Sequence, residues 1–222
     1  MSNRCYNLQV IILAAGKSER FKAIKLLATL KTQRNDKAYS VPIIQHVLQQ
    51  LTTSLSQLNI AKSKLNIATG GYHTQIAEVI GKQCSLINCP DAHLGLGHTI
   101  AQSVERVINH NDRAISSDNS TSHIMITLAD QVSLTTDDYT RLIEQSISTP
   151  EKLVCANASL DIMPPAIFPQ RYFTQLMNLA GDKGAKALLH KNKNNLQAVS
   201  LPSAAIDIDT QQDLIDWHKE NG

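Results

Sequence analysis

Along the chain, short apolar runs alternate with longer stretches in which apolar residues recur every three or four positions. Leu8 to Leu13, Leu65 to Ala68 and Ile124 to Leu128 read as central strands, with Ser85 to Ile87 beside them. Between them, Ile43, Ile44, Val47, Leu48, Leu51 and Leu55 fall at helical spacing, as do Ile100, Val104, Val107 and Ile108, so each set forms one core-facing stripe. Strands alternating with helices mark a parallel sheet with crossover helices, and the pattern predicts a three-layer α/β/α fold with a mostly parallel sheet. Thr135 with Asp138 predicts a capping box for a helix running through Ile147, and Thr210 with Asp213 predicts another for the last helix. Two segments break the rhythm. Lys31 to Ser40 is polar and charged, and Asn109 to Ser122 is rich in Asn, Asp and Ser without periodicity, so both are expected to be mobile surface loops. Neither suggests a boundary, and residues 1–222 are expected to form a single domain.

Composition narrows the function classes. The net charge of +2 offers no basic field for nucleic acid, and small anionic ligands suit the chain better. No apolar run approaches the roughly 20 residues of a membrane span, and the N-terminus lacks the apolar segment and cleavage site of a signal peptide. A cytoplasmic protein without a membrane partner is expected. Cys5, Cys84, Cys89 and Cys155 show no C-x-x-C spacing, which predicts reduced structural thiols rather than a zinc site. Of the eight histidines, His98 alone lies within a motif, and the others lack metal-ligand spacing.

The chemistry concentrates after the first strand. In Leu13-Ala14-Ala15-Gly16-Lys17-Ser18-Glu19-Arg20, two alanines and a glycine leave no bulky side chain in the way, so successive backbone N–H groups can face an anion. Arg20 and Lys25 add positive charge to this triphosphate cradle. Gly16-Lys17-Ser18 matches the end of a Walker A motif, but that motif needs a glycine at position 11, which is Ile11. Asp130 follows the strand Ile124 to Leu128, at the carboxyl end where open α/β sheets bind ligands; it reads as a metal ligand or as a turn cap. Asp207 and Asp209 alternate about Ile208 and point the same way if that segment is a short strand. Asp209 reads as a second metal ligand or as a helix-start carboxylate favoured by the dipole. Gly95 to Thr99 precedes one helix and Gly181 to Ala185 opens another, each an anion site or an ordinary helix start.

Leu13 to Lys25 resembles the L-A-A-G-x-S-x-R-M-G-x-x-K signature of the MobA-like nucleotidyltransferases, which include molybdenum-cofactor cytidylyltransferases and guanylyltransferases. Four blocks in the expected order extend the likeness over nearly the whole chain: Gly95 to Ile100, Leu128 to Gln131, Gly181 to Ala185, and Asp207 to Thr210 with Asp213-Leu214. The resemblance implies a Rossmann-like nucleotidyltransferase fold and transfer of a nucleotidyl group onto a phosphorylated acceptor, releasing pyrophosphate. Such a reaction joins two anions, so the protein has chiefly to neutralise charge and align reactants. Leu13-Ala14-Ala15-Gly16 is closer to the cytidylyl branch than to the L-A-G-G of guanylyl relatives, which implies CTP as donor and molybdopterin as acceptor. It also implies Mg²⁺ on Asp130 and Asp209, and catalytic roles for Lys25, Arg20 and Asp130. Leu13, Ala14, Ala15, Gly16, Lys17, Ser18, Thr69, Gly70, Asn88, Gly95 and Gly97 are then expected on the nucleotide. His98, Thr99, Gln131, Gly181, Asp182 and Gly184 are expected on the acceptor, with a molybdoenzyme as a further partner. Rival expectations are a sugar- or polyol-phosphate acceptor, and a non-catalytic partner that binds or inserts the molybdenum cofactor. Three departures stand out: Phe21-Lys22 replaces the family's Met-Gly, Val132 replaces the proline of D-Q-P, and Met163 replaces a glycine two residues ahead of Pro165.

Overall fold

The structure is a computed structural model that describes residues 6–34, 37–60, 63–112 and 120–221. The chain begins with β1 (Leu8–Ala14), a hairpin of β2 (Thr29–Arg34) and β3 (Lys37–Pro42), and α1 (Ile43–Gln57). It continues through β4 (Lys64–Thr69), α2 (His73–Ile80), β5 (Ser85–Asn88), α3 (Leu96–Asp112), β6 (His123–Leu128) and α4 (Thr136–Ser148). The remainder comprises β7 (Leu153–Ala158), β8 (Asp161–Pro169), α5 (Phe173–Met177), α6 (Ala185–Lys191), β9 (Leu196–Ser200) and α7 (Gln211–Asn221).

Among the described residues, one sheet has the order β5-β4-β1-β6-β8-β7-β9. β8 runs antiparallel to both of its neighbours, and the other pairings are parallel. Alternation along β1 explains the layers: Leu8, Val10, Ile12 and Ala14 face one core, and Ile11 and Leu13 face the other. The first core holds the buried faces of α1, α2 and α4 with part of α7; the second holds those of α3, α5 and α6. The three-layer, mostly parallel α/β expectation is therefore met, with helices on both faces of a sheet whose central strand is apolar on both sides.

From β1 the chain moves outward to β4 and β5, then crosses back to β6 on β1's other flank. That reversal makes β1 the switch point, where a crevice opens outside the strand ends. The ends coincide in register, Ala14 pairing with Thr69, Thr69 with Asn88 and Leu13 with Leu128.

Three expectations need correction. Lys31 to Ser40 is not a plain loop, because most of it lies in the β2–β3 hairpin, with residues 35 and 36 outside the described ones. Its polar composition hid strands held by their surroundings: Leu30 is fully buried, Trp217 Nε1 donates to the Lys31 carbonyl, and the Lys31 amide donates to His218 Nε2. Asn109 to Ser122 begins as the last turn of α3, and residues 113–119 lie outside the described ones. Residues 207–209 form neither strand nor helix. The two predicted capping boxes are present. Asp138 and Thr135 exchange side-chain and backbone bonds, as do Asp213 and Thr210. No helix of the described residues is long and apolar enough to cross a membrane. Cys84, Cys89 and Cys155 are free thiols, and burial pushes Cys84 up to about 11 and Cys155 up to about 12. Cys5 lies outside the described residues.

Candidate active site

After Ala14 the chain leaves the sheet with exposed Gly16 and Lys17, and a Cβ at Gly16 would meet no atom within 4 Å. The loop is therefore open to an incoming group. Tyr72 Oη donates to the Lys17 carbonyl at 3.2 Å, and a Cβ on Gly70 would lie 2.9 Å from the Ala15 oxygen. Gly70 thus permits the β4 turn to press against the β1 loop. Beyond it, the Phe21 and Lys22 amides both donate to the Ser18 carbonyl, and the Phe21 ring is buried in the core. Phe21 is an apolar plug turned away from the loop, so its bulk does not crowd the crevice. Lys22 has φ 58°, a left-handed conformation that suits the glycine found there in the family signature. Its side chain is exposed.

Phe21 and buried Leu26 bracket Lys25, which is 9% exposed. Its Nζ donates to Asp130 Oδ2 at 2.7 Å and to Asp209 Oδ1 at 3.0 Å. Arg20 pairs with the other Asp209 oxygen at 2.5 Å. Asp130 lies just past the end of β6. Buried Ile208 donates its amide to the Asp130 carbonyl at 3.2 Å, and this clamps the Asp207–Asp209 segment against that strand end. The Asp213 carboxylate accepts the Asp209 and Thr210 amides, so the cap of α7 also orients Asp209.

Asp130, Asp207 and Asp209 each aim an oxygen at one place, all within 4.8 Å of one another. Asp207 was not among the expected metal ligands, although its alternation with Asp209 was the sequence signal for it. Burial followed by the Asp130 and Asp209 charges raises the Asp207 pKa. Burial lowers the Lys25 pKa, but the two carboxylates overcome that effect and hold it above the usual lysine value. Asp130 Oδ1 is buried without a hydrogen-bond partner among the described residues. An orphaned carboxylate oxygen beside two further carboxylates fits a hard divalent cation, which takes oxygen ligands. Val132, in place of the family's proline, donates its amide to the Asp130 carbonyl at 2.9 Å, a bond a proline could not make.

Of the residues expected on the acceptor, His98, Thr99, Gly181, Asp182 and Gly184 gather with Gly95 and Gly97, which were expected on the nucleotide, while Gln131 lies apart, next to Asp130. Gly95 precedes the first residue of α3, so the Gly95–Thr99 block forms that helix's first turn rather than leading up to it. A Cβ on Gly95 would lie 2.5 Å from the Gly181 carbonyl, and one on Gly97 would lie 2.8 Å from the Ala180 nitrogen. The close approach these glycines allow is therefore to the 180–182 backbone. Gly97 donates its amide to the Gly181 oxygen at 2.8 Å, and the Gly181 amide donates to His98 Nδ1 at 3.0 Å, which clips the two loops together. Gly184 packs on Leu96 and is the N-cap of α6, so the cap is not Asp182, which is exposed. Asn88 is exposed at the end of β5. Three expected contacts point into the protein. Thr69 Oγ1 binds His73 Nδ1 at 2.7 Å, Thr99 Oγ1 donates to the Gly95 oxygen, and Gln131 Nε2 donates to the Pro164 and Ala204 carbonyls. At the opposite end of the strands, Gln9, Asn66 and Arg106 line a separate cavity of about 850 Å³.

The comparisons agree with this architecture. A family model described as the MobA-like NTP transferase domain matches residues 10–197. The purine catabolism protein PucB of Bacillus subtilis is 28% identical over 189 residues, covering 85% of this chain and 83% of PucB. Rv0371c of Mycobacterium tuberculosis H37Rv superimposes with a TM-score of 0.71 at 17% identity, over 99% of this chain and all of the other. That protein's manganese complex gives 0.69 at 16% identity, over 97% and 99% of the two chains. A CMP:2-keto-3-deoxy-manno-octonic acid synthetase solved with CTP gives 0.65 at 11% identity, over 96% and 98%.

Proposed function

The chain belongs to the MobA-like NTP transferase family, and on that footing we propose that it transfers CMP from CTP to molybdopterin and releases pyrophosphate. The observation that carries this reading is the cluster of Lys25, Arg20, Asp130 and Asp209 beside an open Gly16 loop at the sheet's switch point. The Ala14–Ser18 loop offers backbone N–H groups to the triphosphate, while Lys25 and Arg20 supply cations to its oxygens. Asp130 and Asp209 would hold Mg²⁺, with Asp207 within reach of the same ion. That ion supplies positive charge against the phosphates and the leaving pyrophosphate. Gly70 and Asn88 form the rim assigned to the base, and His98 with the Gly181–Gly184 loop forms the acceptor side. Thr69, Thr99 and Gln131 act from beneath, shaping backbone that the substrates meet. The reaction is expected in the cytoplasm, with a molybdoenzyme receiving the product.

A second acceptor class has its own support. Met163 stands where the family has glycine on the acceptor strip, and a structural neighbour is named for 4-diphosphocytidyl-2C-methyl-D-erythritol, a cytidylylated polyol phosphate. A sugar or polyol phosphate is therefore the alternative acceptor. Pyrophosphate release measured with each of the four ribonucleoside triphosphates, with and without molybdopterin, tests both. Molybdopterin-dependent release from CTP is the expected result. Release that needs a sugar phosphate instead would replace the acceptor, and no release with any acceptor would overturn the catalytic reading.

A further inference from the structure

Lys25 occupies both of the carboxylates that the metal role requires. Its Nζ contacts Asp130 Oδ2 at 2.7 Å and Asp209 Oδ1 at 3.0 Å, and Arg20 contacts Asp209 Oδ2 at 2.5 Å. The ammonium is therefore close to the place a cation bridging those oxygens would take. A divalent ion entering there meets a like charge at contact distance, in a site where Lys25 is only 9% exposed and screening is weak. The lysine has to move before the ion can bind both acids. Lys25 belongs to a single 3-10 turn, Lys25–Leu27, so its long side chain can swing while Leu26 stays buried. The open Gly16 loop is where a triphosphate would draw it.

We propose that Lys25 is an exchangeable counter-ion that makes metal entry conditional on the triphosphate: the phosphates attract Lys25 and Arg20, and the released Asp130 and Asp209 then take the divalent ion. The inference rests on the nucleotidyltransferase reading and adds an order to it. Metal alone binds weakly, nucleotide recruits metal, and each strengthens the other by the same factor. Arg20 is the outer member of this pair, because its side chain is 73% exposed and returns readily to solvent. Asp207 makes no ion pair among the described residues and is exposed, so it is the carboxylate an arriving ion can reach first.

The test is Mn²⁺ binding, followed by the electron paramagnetic resonance signal of the free ion, in the wild type and in Lys25→Met. Without nucleotide, the variant should bind Mn²⁺ about tenfold or more tightly, since the ion no longer displaces two charge-assisted hydrogen bonds. Adding a methylene-bridged, non-hydrolysable CTP analogue should tighten Mn²⁺ binding strongly in the wild type and much less in the variant. Circular dichroism checks that the variant is folded, and Lys25→Gln gives the same comparison should the methionine variant fail to fold. Equal or weaker Mn²⁺ affinity in a folded variant without nucleotide overturns the proposal. So does an equal effect of the analogue on both proteins. If the wild type never binds the analogue, the nucleotide reading falls, while a gain in Mn²⁺ affinity at position 25 still identifies Lys25 as the counter-ion of the acidic cluster.

Discussion

Two glycines on the same sheet edge should respond oppositely to a methyl group, which separates what the fold needs from what the ligand needs. Gly95 has φ 116°, and its added Cβ would lie 2.5 Å from the Gly181 carbonyl carbon and oxygen and 2.7 Å from Asp182 Oδ1. Backbone strain of that kind costs of order 1–3 kcal/mol. Parting two backbones to admit a methyl adds about 1–3 kcal/mol more. Gly95→Ala should therefore lose about 2–6 kcal/mol, a large share of the roughly 5–15 kcal/mol typical of a domain. At Gly16 the added Cβ meets nothing within 4 Å, so Gly16→Ala should stay within about 0.5 kcal/mol of the wild type. Urea unfolding followed by circular dichroism reads both, provided the slope m is unchanged. A bulkier side chain at the same open position completes the contrast. Gly16→Val should unfold normally yet lose at least about tenfold in CTP binding, because its branches fill the approach to the Ala14–Ser18 amides. Normal stability of Gly95→Ala would refute the close packing of α3 against the 180–182 loop. Normal nucleotide binding by Gly16→Val would move the phosphate site away from this loop.

Asp130→Asn should abolish pyrophosphate release while leaving the unfolding midpoint near that of the wild type, since Asp209 still pairs with Lys25; unchanged turnover would remove Asp130 from the metal site. Lys22→Gly should stabilise the protein by about 0.5–1 kcal/mol, because relief of the strain at φ 58° outweighs the extra freedom glycine gives the unfolded chain, and a lower urea midpoint would refute this. In competition at equal concentrations CTP should outpace GTP, because a base edge that leaves buried polar groups unpaired is rejected; GTP preference would sink the cytidylyl assignment but not nucleotidyl transfer. Asp138→Asn should cost about 1–2 kcal/mol at neutral pH. Burial opposes ionisation of Asp138, but the Thr135 amide, Arg141 and Ser203 outweigh it and depress its pKa, so the wild-type advantage holds above the ordinary carboxylate range and fades as pH falls through the lowered value. A difference that persists at acid pH would show the effect is not the carboxylate's charge.

The parts of this protein that were legible in its sequence are those governed by local rules. The apolar run of β1, the stripe from Ile43 to Leu55 and the Thr135–Asp138 box each act within a few residues of themselves, and each has the structure its pattern implies. The β2–β3 hairpin escaped because its stability comes from 186 residues away, where Trp217 caps the Lys31 carbonyl, and no local apolar pattern records that contact. The same logic divides the candidate site. The loop after β1 and the carboxylate after β6 could be found because ligands collect at the carboxyl ends of central strands. Gln131, Thr69 and Thr99 stand in those same motifs, yet their side chains turn inward to backbone carbonyls and His73.

The departures at Phe21-Lys22 follow from what each position has to do. Position 21 has to fill a core hole and accepts any large apolar group of suitable shape, which a phenylalanine is. Position 22 has to adopt a left-handed turn, which lysine can do at a cost of about 1–2 kcal/mol. Neither requirement involves the crevice, so both substitutions leave Lys25 pinned between Asp130 and Asp209. Met163 differs, because it lies half-buried in β8, beside the Pro164 carbonyl that Gln131 holds. Its side chain packs on the first core and is no part of the acidic cluster, so on the proposed reading a glycine there would change only the acceptor side. On the acceptor assignment proposed above, a change of acceptor would be written at Met163, while the groups assigned to nucleotide and metal after β1 and β6 stay as they are.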